Sequence, residues 1–397
     1  MTTMWERAHA IQDELVVLRR AIHRRPELGF QEFETSNLAA DTMRSLGARV
    51  RTGVGTTGVI ADLGAAGAGR PCIAIRADMD ALPVRELNPV AYCSTVPGVM
   101  HACGHDAHVA MALGAAKLLA EEELPGQVRF LFQPSEERPD EQGVSGAAHM
   151  IQAGALDGVD LVIAQHIGSE TETGLVRIVP GPMSATEETF WITIRGKGCH
   201  GAYPHTGRDP IFMSGQVIGA IHGIISRQVN PMRSAVISIG LIQGGTQVNI
   251  IPSEVRLAGT IRSFDKEVRE TLHAELRRAA EVARALGGDY ELKVDLDAIA
   301  TVNDPRVCAL IRGVARDLLG DDKVLAGQPD MGAEDFGFMT QAVPGAMYSL
   351  GTKKGEPRIV HGPTFDIDEA ALPIGTAILA ETVRRYLHAG CLPGPEE

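Results

Sequence analysis

Ile11, Leu15, Leu18 and Ile22 recur at the spacing of one face of a helix, and Pro26 and Gly29 break that pattern before a second helical stretch. After glycine-rich turns at Gly53, Gly55 and Gly58 the period changes. Cys72-Ile73-Ala74-Ile75 is a nearly continuous apolar run, as expected of a strand covered on both faces, and it ends at Asp78-Met79-Asp80. Val128–Phe132 leads through Gln133-Pro134-Ser135 into Glu136-Glu137, and Leu161–Ala164 leads into Gln165-His166. Three apolar strands thus each deliver polar, ionisable residues just past their carboxyl ends, where open α/β sheets place their sites. Helical segments between them make this half a three-layer α/β domain.

Beyond Pro180-Gly181-Pro182 the texture shifts. Strands are expected at Phe190–Ile194, Ala235–Ile239, Glu254–Ser263 and Tyr290–Leu296, with helices at Pro210–Arg227 and Lys266–Leu286. The order βαββαβ is the ferredoxin-like arrangement. After Asn303-Asp304-Pro305 the mixed pattern resumes and ends in a helix from about Leu372 to Tyr386. The expected organisation is an α/β catalytic domain in two pieces, residues 1–184 and 298–397, with an inserted ferredoxin-like α+β domain over 185–297.

Composition narrows the classes. A chain of 397 residues, 44% hydrophobic and 22% charged, has enough material for two cored domains. Its net charge of -13 and pI near 5.5 argue against nucleic acid or an anionic membrane as partner. The first ten residues include Glu6 and lack an apolar core, no apolar stretch reaches spanning length, and six cysteines are scattered without a framework spacing. A cytoplasmic protein with reduced thiols is expected.

The densest chemistry lies in Met100-His101-Ala102-Cys103-Gly104-His105-Asp106, where a thiol and an imidazole two residues apart can face one metal ion. Asp106 is expected to cap the following helix. A buried structural cysteine beside surface histidines is the alternative. Glu136 and Glu137 could form a solvated acidic turn; alternatively, one binds a cation while the other takes a proton from water. His166 and His361 could each be ligands or satisfied histidines. Together, Cys103, His105, Glu137, His166 and His361 make a set suited to zinc, manganese or a similar ion, with two ions bridged by the thiolate. Asp78 and Asp80 are candidates to orient the imidazoles, with a plain turn as the other option; His101 and His108 stay outside the set. In the inserted domain, His200 could polarise a carbonyl oxygen, and Asn249 and Arg262 could hold a carboxylate, though each could equally be a turn or surface residue.

These residues resemble the M20 metallopeptidase family, and within it the amidohydrolases that include hippurate hydrolases, N-acyl-amino-acid amidohydrolases and auxin-conjugate hydrolases. The likeness runs through His23–Phe30, Gly55–Val59, Arg76–Pro83, the Cys103 segment, Gln133–Glu137, Ala333–Phe336 and His361–Phe365. It implies two divalent metal ions per subunit held by Cys103, His105, Glu137, His166 and His361, with Glu136 as general base. It also implies that the inserted domain is a lid or dimerisation domain, where His200 polarises the scissile carbonyl, sometimes across a homodimer. The implied substrate is a small N-acyl amino acid. A dipeptidase or carboxypeptidase with the same centre, a non-catalytic binding protein of the same fold and a purely structural zinc protein are the rivals. Cys199 stands where many relatives carry Gly, the loop after Glu137 is longer, and Ile167-Gly168-Ser169 departs from the commoner pattern; these differences bear on acyl and side-chain preference.

Overall fold

Alternation along the interior strands sets the layering. In a computed structural model describing residues 2–67, 69–356 and 358–394, Ile73, Ile75 and Ala77 enter one hydrophobic core, while Cys72 and Ala74 enter another on the opposite face. Successive side chains on a strand point to opposite faces, so a run apolar at every position must be covered twice. The chain divides into two compact units, the first comprising the described residues within 2–183, 301–329 and 335–394, the second 184–300 and 330–334.

Among the described residues, the first unit is built on an eight-stranded mixed sheet. Its centre is parallel: Gln127–Gln133, Cys72–Asp78, Leu161–Glu172 and Gly345–Lys353 lie side by side in that order. Asp78 pairs with Gln133, so these two strands end level, and Asp80 and Glu136-Glu137 leave the same edge. The third strand behaves differently from expectation. Leu161–Glu172 continues past His166, because Gly345–Lys353 pairs with it beyond that point, Ser349 opposite His166. His166 is therefore a strand residue level with the ends of its neighbours.

One face of the sheet is covered by His105–Ala120, which is apolar around nearly its whole circumference and buried accordingly. It packs against Gln12–His23 and Ala371–Ala389. The other face carries the short helices Gly146–Gln152 and Phe336–Ala342, which contribute Ala147, Met150, Phe336 and Met339 to the second core. This is the three-layer α/β architecture that the sequence suggested.

The second unit has the element order βαββαβ. Its antiparallel sheet runs Ala235–Gly244, Glu254–Ser263, Thr186–Arg195, Asp289–Ala298, so the first and third strands in sequence are the central pair. Pro210–Gln228 and Lys266–Ala280 cover one face, burying Met213, Val217, Ile221, Leu272 and Leu276 against Phe190, Ile192 and Leu257. Residues 330–334 belong here too: Ala185 N–H donates to the Gly332 carbonyl at 3.0 Å. Among the described residues no helix is long and apolar enough to cross a membrane.

Candidate metal centre

The Cys103–His105 turn depends on Gly104, which has φ of 91° and precedes the first residue of the buried helix. A Cβ at this position would lie 2.5 Å from Ile167 Cγ1, so glycine is required for both conformation and space. Asp106 does not cap the helix, contrary to expectation. It lies in the first turn, fully buried, and accepts from Arg19 Nε at 2.7 Å and His23 Nδ1 at 2.8 Å. A buried guanidinium needs a carboxylate more than a helix end needs a cap. Burial alone would push the Asp106 carboxyl up; Arg19 and His23 hold it well below its usual range.

His105 is oriented from behind. Its Nδ1 meets the Asp80 carbonyl at 2.9 Å and Asp80 Oδ1 at 3.2 Å, which anchors a proton there and turns Nε2 inward. Nε2 is buried and has no hydrogen-bond partner among the described residues. Such an atom is costly to leave unpaired; once the ring is deprotonated, its lone pair calls for a cation in the space in front of it. His166 is held likewise, Nδ1 against the Ile167 carbonyl at 2.8 Å, with Nε2 3.5 Å from Cys103 Sγ.

Ligand atoms of Cys103, His105 and His166 lie within 4.8 Å of one another, as do those of Cys103, Glu137 and His361. The sulfur belongs to both sets. His361 Nε2 is 3.2 Å from Glu137 Oε1, and the His361 backbone N–H donates to the Ala102 carbonyl at 2.8 Å, fastening its loop to the cysteine segment. A carboxylate oxygen of Glu136 lies within 4.8 Å of ligand atoms of His105 and Glu137. All five expected ligands and Glu136 therefore come together, from segments more than 250 positions apart.

Electrostatics favour anionic sulfur. Burial raises the Cys103 thiol, but His166 and His105 more than offset this and bring it down to about 6. Hydrogen bonds to Cys103 and Glu137 push His361 up to about 10. In the metal-free protein, then, protons on imidazole compensate the acidic groups.

Behind these groups stands a buried lattice. Asp78 Oδ1 accepts from His108 Nδ1 at 2.6 Å, and His108 Nε2 accepts the Ile167 N–H at 3.0 Å. Burial outweighs Asp78 and holds His108 down to about 4, so it is a neutral imidazole with both nitrogens engaged. Asp78 also accepts from Arg76 at 2.5 Å, and Arg76 reaches Gln133 Oε1 at 2.9 Å and Asp335 at 3.0 Å. Asp80 Oδ2 accepts the Glu137 N–H at 3.0 Å, coupling His105 to Glu137 through one carboxylate. Asp335 was legible only as part of a motif, without a role. Arg76 had a signal: a charge inside a strand buried on both faces must be paired. His101 is buried, its two ring nitrogens have no hydrogen-bond partner among the described residues, and burial holds it down to about 4.

In the second unit, His200 is exposed on a two-residue strand paired with Ile250-Ile251, and the Gly201 N–H donates to the Asn249 carbonyl at 2.8 Å. His200 and Asn249 are thus neighbours. The Ala202 N–H donates to His200 Nδ1 at 3.1 Å, so the neutral ring carries its proton on Nε2. Arg262, the other residue expected to hold a carboxylate, is bonded to Glu187 and donates to the Met331 carbonyl at 2.7 Å. These bonds engage one N–H on each terminal nitrogen of the guanidinium.

Thiol, imidazole and carboxylate donors gathered at the carboxyl edge of a parallel sheet, beside a carboxylate able to take a proton, make up a metallohydrolase type of site. The model of Peptidase family M20/M25/M40 matches residues 74–385, and the chain belongs to that family. Thermostable carboxypeptidase 2 of Saccharolobus solfataricus is 42% identical over 373 residues, covering 92% of this chain and 93% of the relative. N-acetyl-L-cysteine deacetylase of Bacillus subtilis is 38% identical over 383 residues, covering 95% and 89%. Among solved structures, a dinuclear metal binding peptidase from the M20 family of Bacillus subtilis aligns with a TM-score of 0.83 at 33% identity, covering 96% of this chain and 99% of that one. The chain is an enzyme, a metal-dependent hydrolase of the amidohydrolase and peptidase kind.

Proposed function

We propose that this enzyme hydrolyses the amide of small N-acyl amino acids, giving a carboxylic acid and a free amino acid, at a centre for two divalent ions such as zinc or manganese. The observation that carries the reading is the pair of three-donor sets sharing Cys103. His105 and His166 with Cys103 would hold one ion, and Glu137 and His361 with Cys103 the other; three protein donors each leave room for water and substrate. When bound, the ions would supply Lewis acidity toward the amide carbonyl and lower the pKa of water.

Glu136 accepts the proton of the attacking water and passes it to the departing nitrogen. His200, with its proton on Nε2, donates to the developing oxyanion, and Asn249 beside it binds the substrate carboxylate. Arg262 braces its sheet through Glu187 and the Met331 carbonyl. The second unit is the lid, and pairs of subunits meet through it, with Ala235–Gly244 an edge strand that leaves Ile242 exposed. Light scattering in solution should return twice the chain mass. A reduced Cys103 suits a cytoplasmic setting, and all six cysteines are free of disulfides.

Glu136→Gln should lower turnover about 100- to 10,000-fold while elemental analysis still finds two ions per chain. Wild-type turnover in that variant would remove Glu136 from the mechanism. A carboxypeptidase reading is favoured by the 42% identical relative of that name. Acetyl-, benzoyl- and aminoacyl-amino acids assayed side by side separate the two, the first two classes being preferred on the present reading.

A further inference from the structure

Two motifs near the N-terminus, Pro26–Glu32 and Gly55–Gly58, supply none of the candidate ligands or reactive groups, yet both end on one backbone position beside Glu136. Ser135 has φ of +42°, a left-handed conformation that a serine adopts only when held. Glu32 holds it: the Ser135 N–H donates to Glu32 Oε1 at 2.8 Å, and the Thr57 hydroxyl donates to Glu32 Oε2. Glu32 directly precedes the helix Phe33–Ser45 but its side chain makes no cap there; it is fully buried and spent on the distant turn.

The surroundings are built for the same contact. A Cβ on Gly29 would lie 2.1 Å from Ser135 Oγ, so only glycine lets the first motif approach. Of the four non-glycine residues with positive φ among those described, Phe30, Thr56 and Ser135 lie in these two motifs and at this turn, and the fourth is His361. Burial pushes the Glu32 carboxyl up to about 7, only partly countered by Thr57, so this acceptor sits there at a cost.

We infer that Glu32, buttressed by Thr57, is a positioning residue for the reaction: by gripping the Ser135 N–H it fixes the left-handed turn that aims Glu136 and Glu137. It touches neither substrate nor reacting atoms. The inference rests on Glu136 as general base and Glu137 as ligand.

The test uses two near-isosteric changes in the full-length enzyme. Glu32→Leu fills the space but removes the acceptor, and Glu32→Gln restores an oxygen that can accept the Ser135 N–H. Glu32→Leu should lower kcat about 10- to 100-fold with KM within about threefold. Hydrogen exchange over residues 133–138 of the metal-free protein should quicken at least tenfold, while Glu32→Gln returns both quantities to within about threefold of wild type. Thr57→Val, a milder change that preserves volume, should lower kcat by a few-fold in the same direction and serves if Glu32→Leu does not fold.

Three results would overturn the inference: unchanged kcat in folded Glu32→Leu, equal loss in Glu32→Gln and Glu32→Leu, or Thr57→Val acting only through melting temperature. Glu136→Gln run in parallel keeps the two ideas apart. An active Glu136→Gln defeats the general-base assignment, whereas an inactive one beside an unimpaired Glu32→Leu defeats the positioning role alone.

Discussion

Asp80 shows how much one side chain can organise. One oxygen and the backbone carbonyl hold His105 Nδ1, and the other oxygen accepts the Glu137 N–H. Asp80→Asn puts an N–H donor where one of those donors now points. Titration of the metal-free protein should show metal affinity lower by about 10- to 100-fold. Glu86 makes a contrasting prediction about stability. Burial raises its carboxyl, but bonds from His23, the Ser94 N–H and Asn88 more than offset this and bring it from 4.5 down to about 2. A carboxyl depressed on folding stabilises fully above its unfolded value, and that contribution drains away as pH falls from about 4.5 toward 2. Denaturant midpoints should therefore decline across this window, and Glu86→Gln should decline less steeply there.

At the level of elements, Gly104 joins a buried helix to the cysteine turn and lies against the strand that carries His166. Gly104→Ala would force both a strained φ and a 2.5 Å contact with Ile167. A loss of about 1–3 kcal/mol is expected, measured by chemical denaturation, together with substoichiometric metal after reconstitution. The elements also show what a sequence can disclose. Continuous apolar runs announced the interior strands because double-sided burial leaves no polar position, and the change to βαββαβ was visible in the alternation of Glu254–Ser263. Local patterning could not reveal that Arg76 bonds to Gln133 and Asp335, 57 and 259 positions away, or that Asp106 is taken by Arg19, 87 positions away. Asp106 looked like a cap because capping is a local preference; its partner is tertiary. His166 looked like a residue beyond a strand end because its pairing partner, Gly345–Lys353, lies late in the chain. The ligand types were legible, whereas their supports were hidden wherever a contact spans the molecule.

On the scale of the whole molecule, the hydrophobic cores on the two faces of the large sheet are made of aliphatic, aromatic and sulfur-bearing side chains, none of them a proposed ligand. The fold should therefore outlast the metal. Chelation should abolish hydrolysis at temperatures where calorimetry still reports a folded protein, with melting lowered but distinct from inactivation. Simultaneous loss of heat capacity peak and activity on chelation would point to ions that build the fold instead.

The sheet order carries a consequence for biosynthesis. Gly345–Lys353 lies between Leu161–Glu172 and Val176–Ile178, so two strands made early leave a vacant slot until the ribosome has translated past the entire second unit. Until then a nascent chain presents an open hydrogen-bonding edge beside the histidine of that strand, a template for pairing with a stranger. Chains that stall before this late strand would be expected to aggregate or require a chaperone's hold, and the same delay keeps His361 from joining the centre before its scaffold has closed.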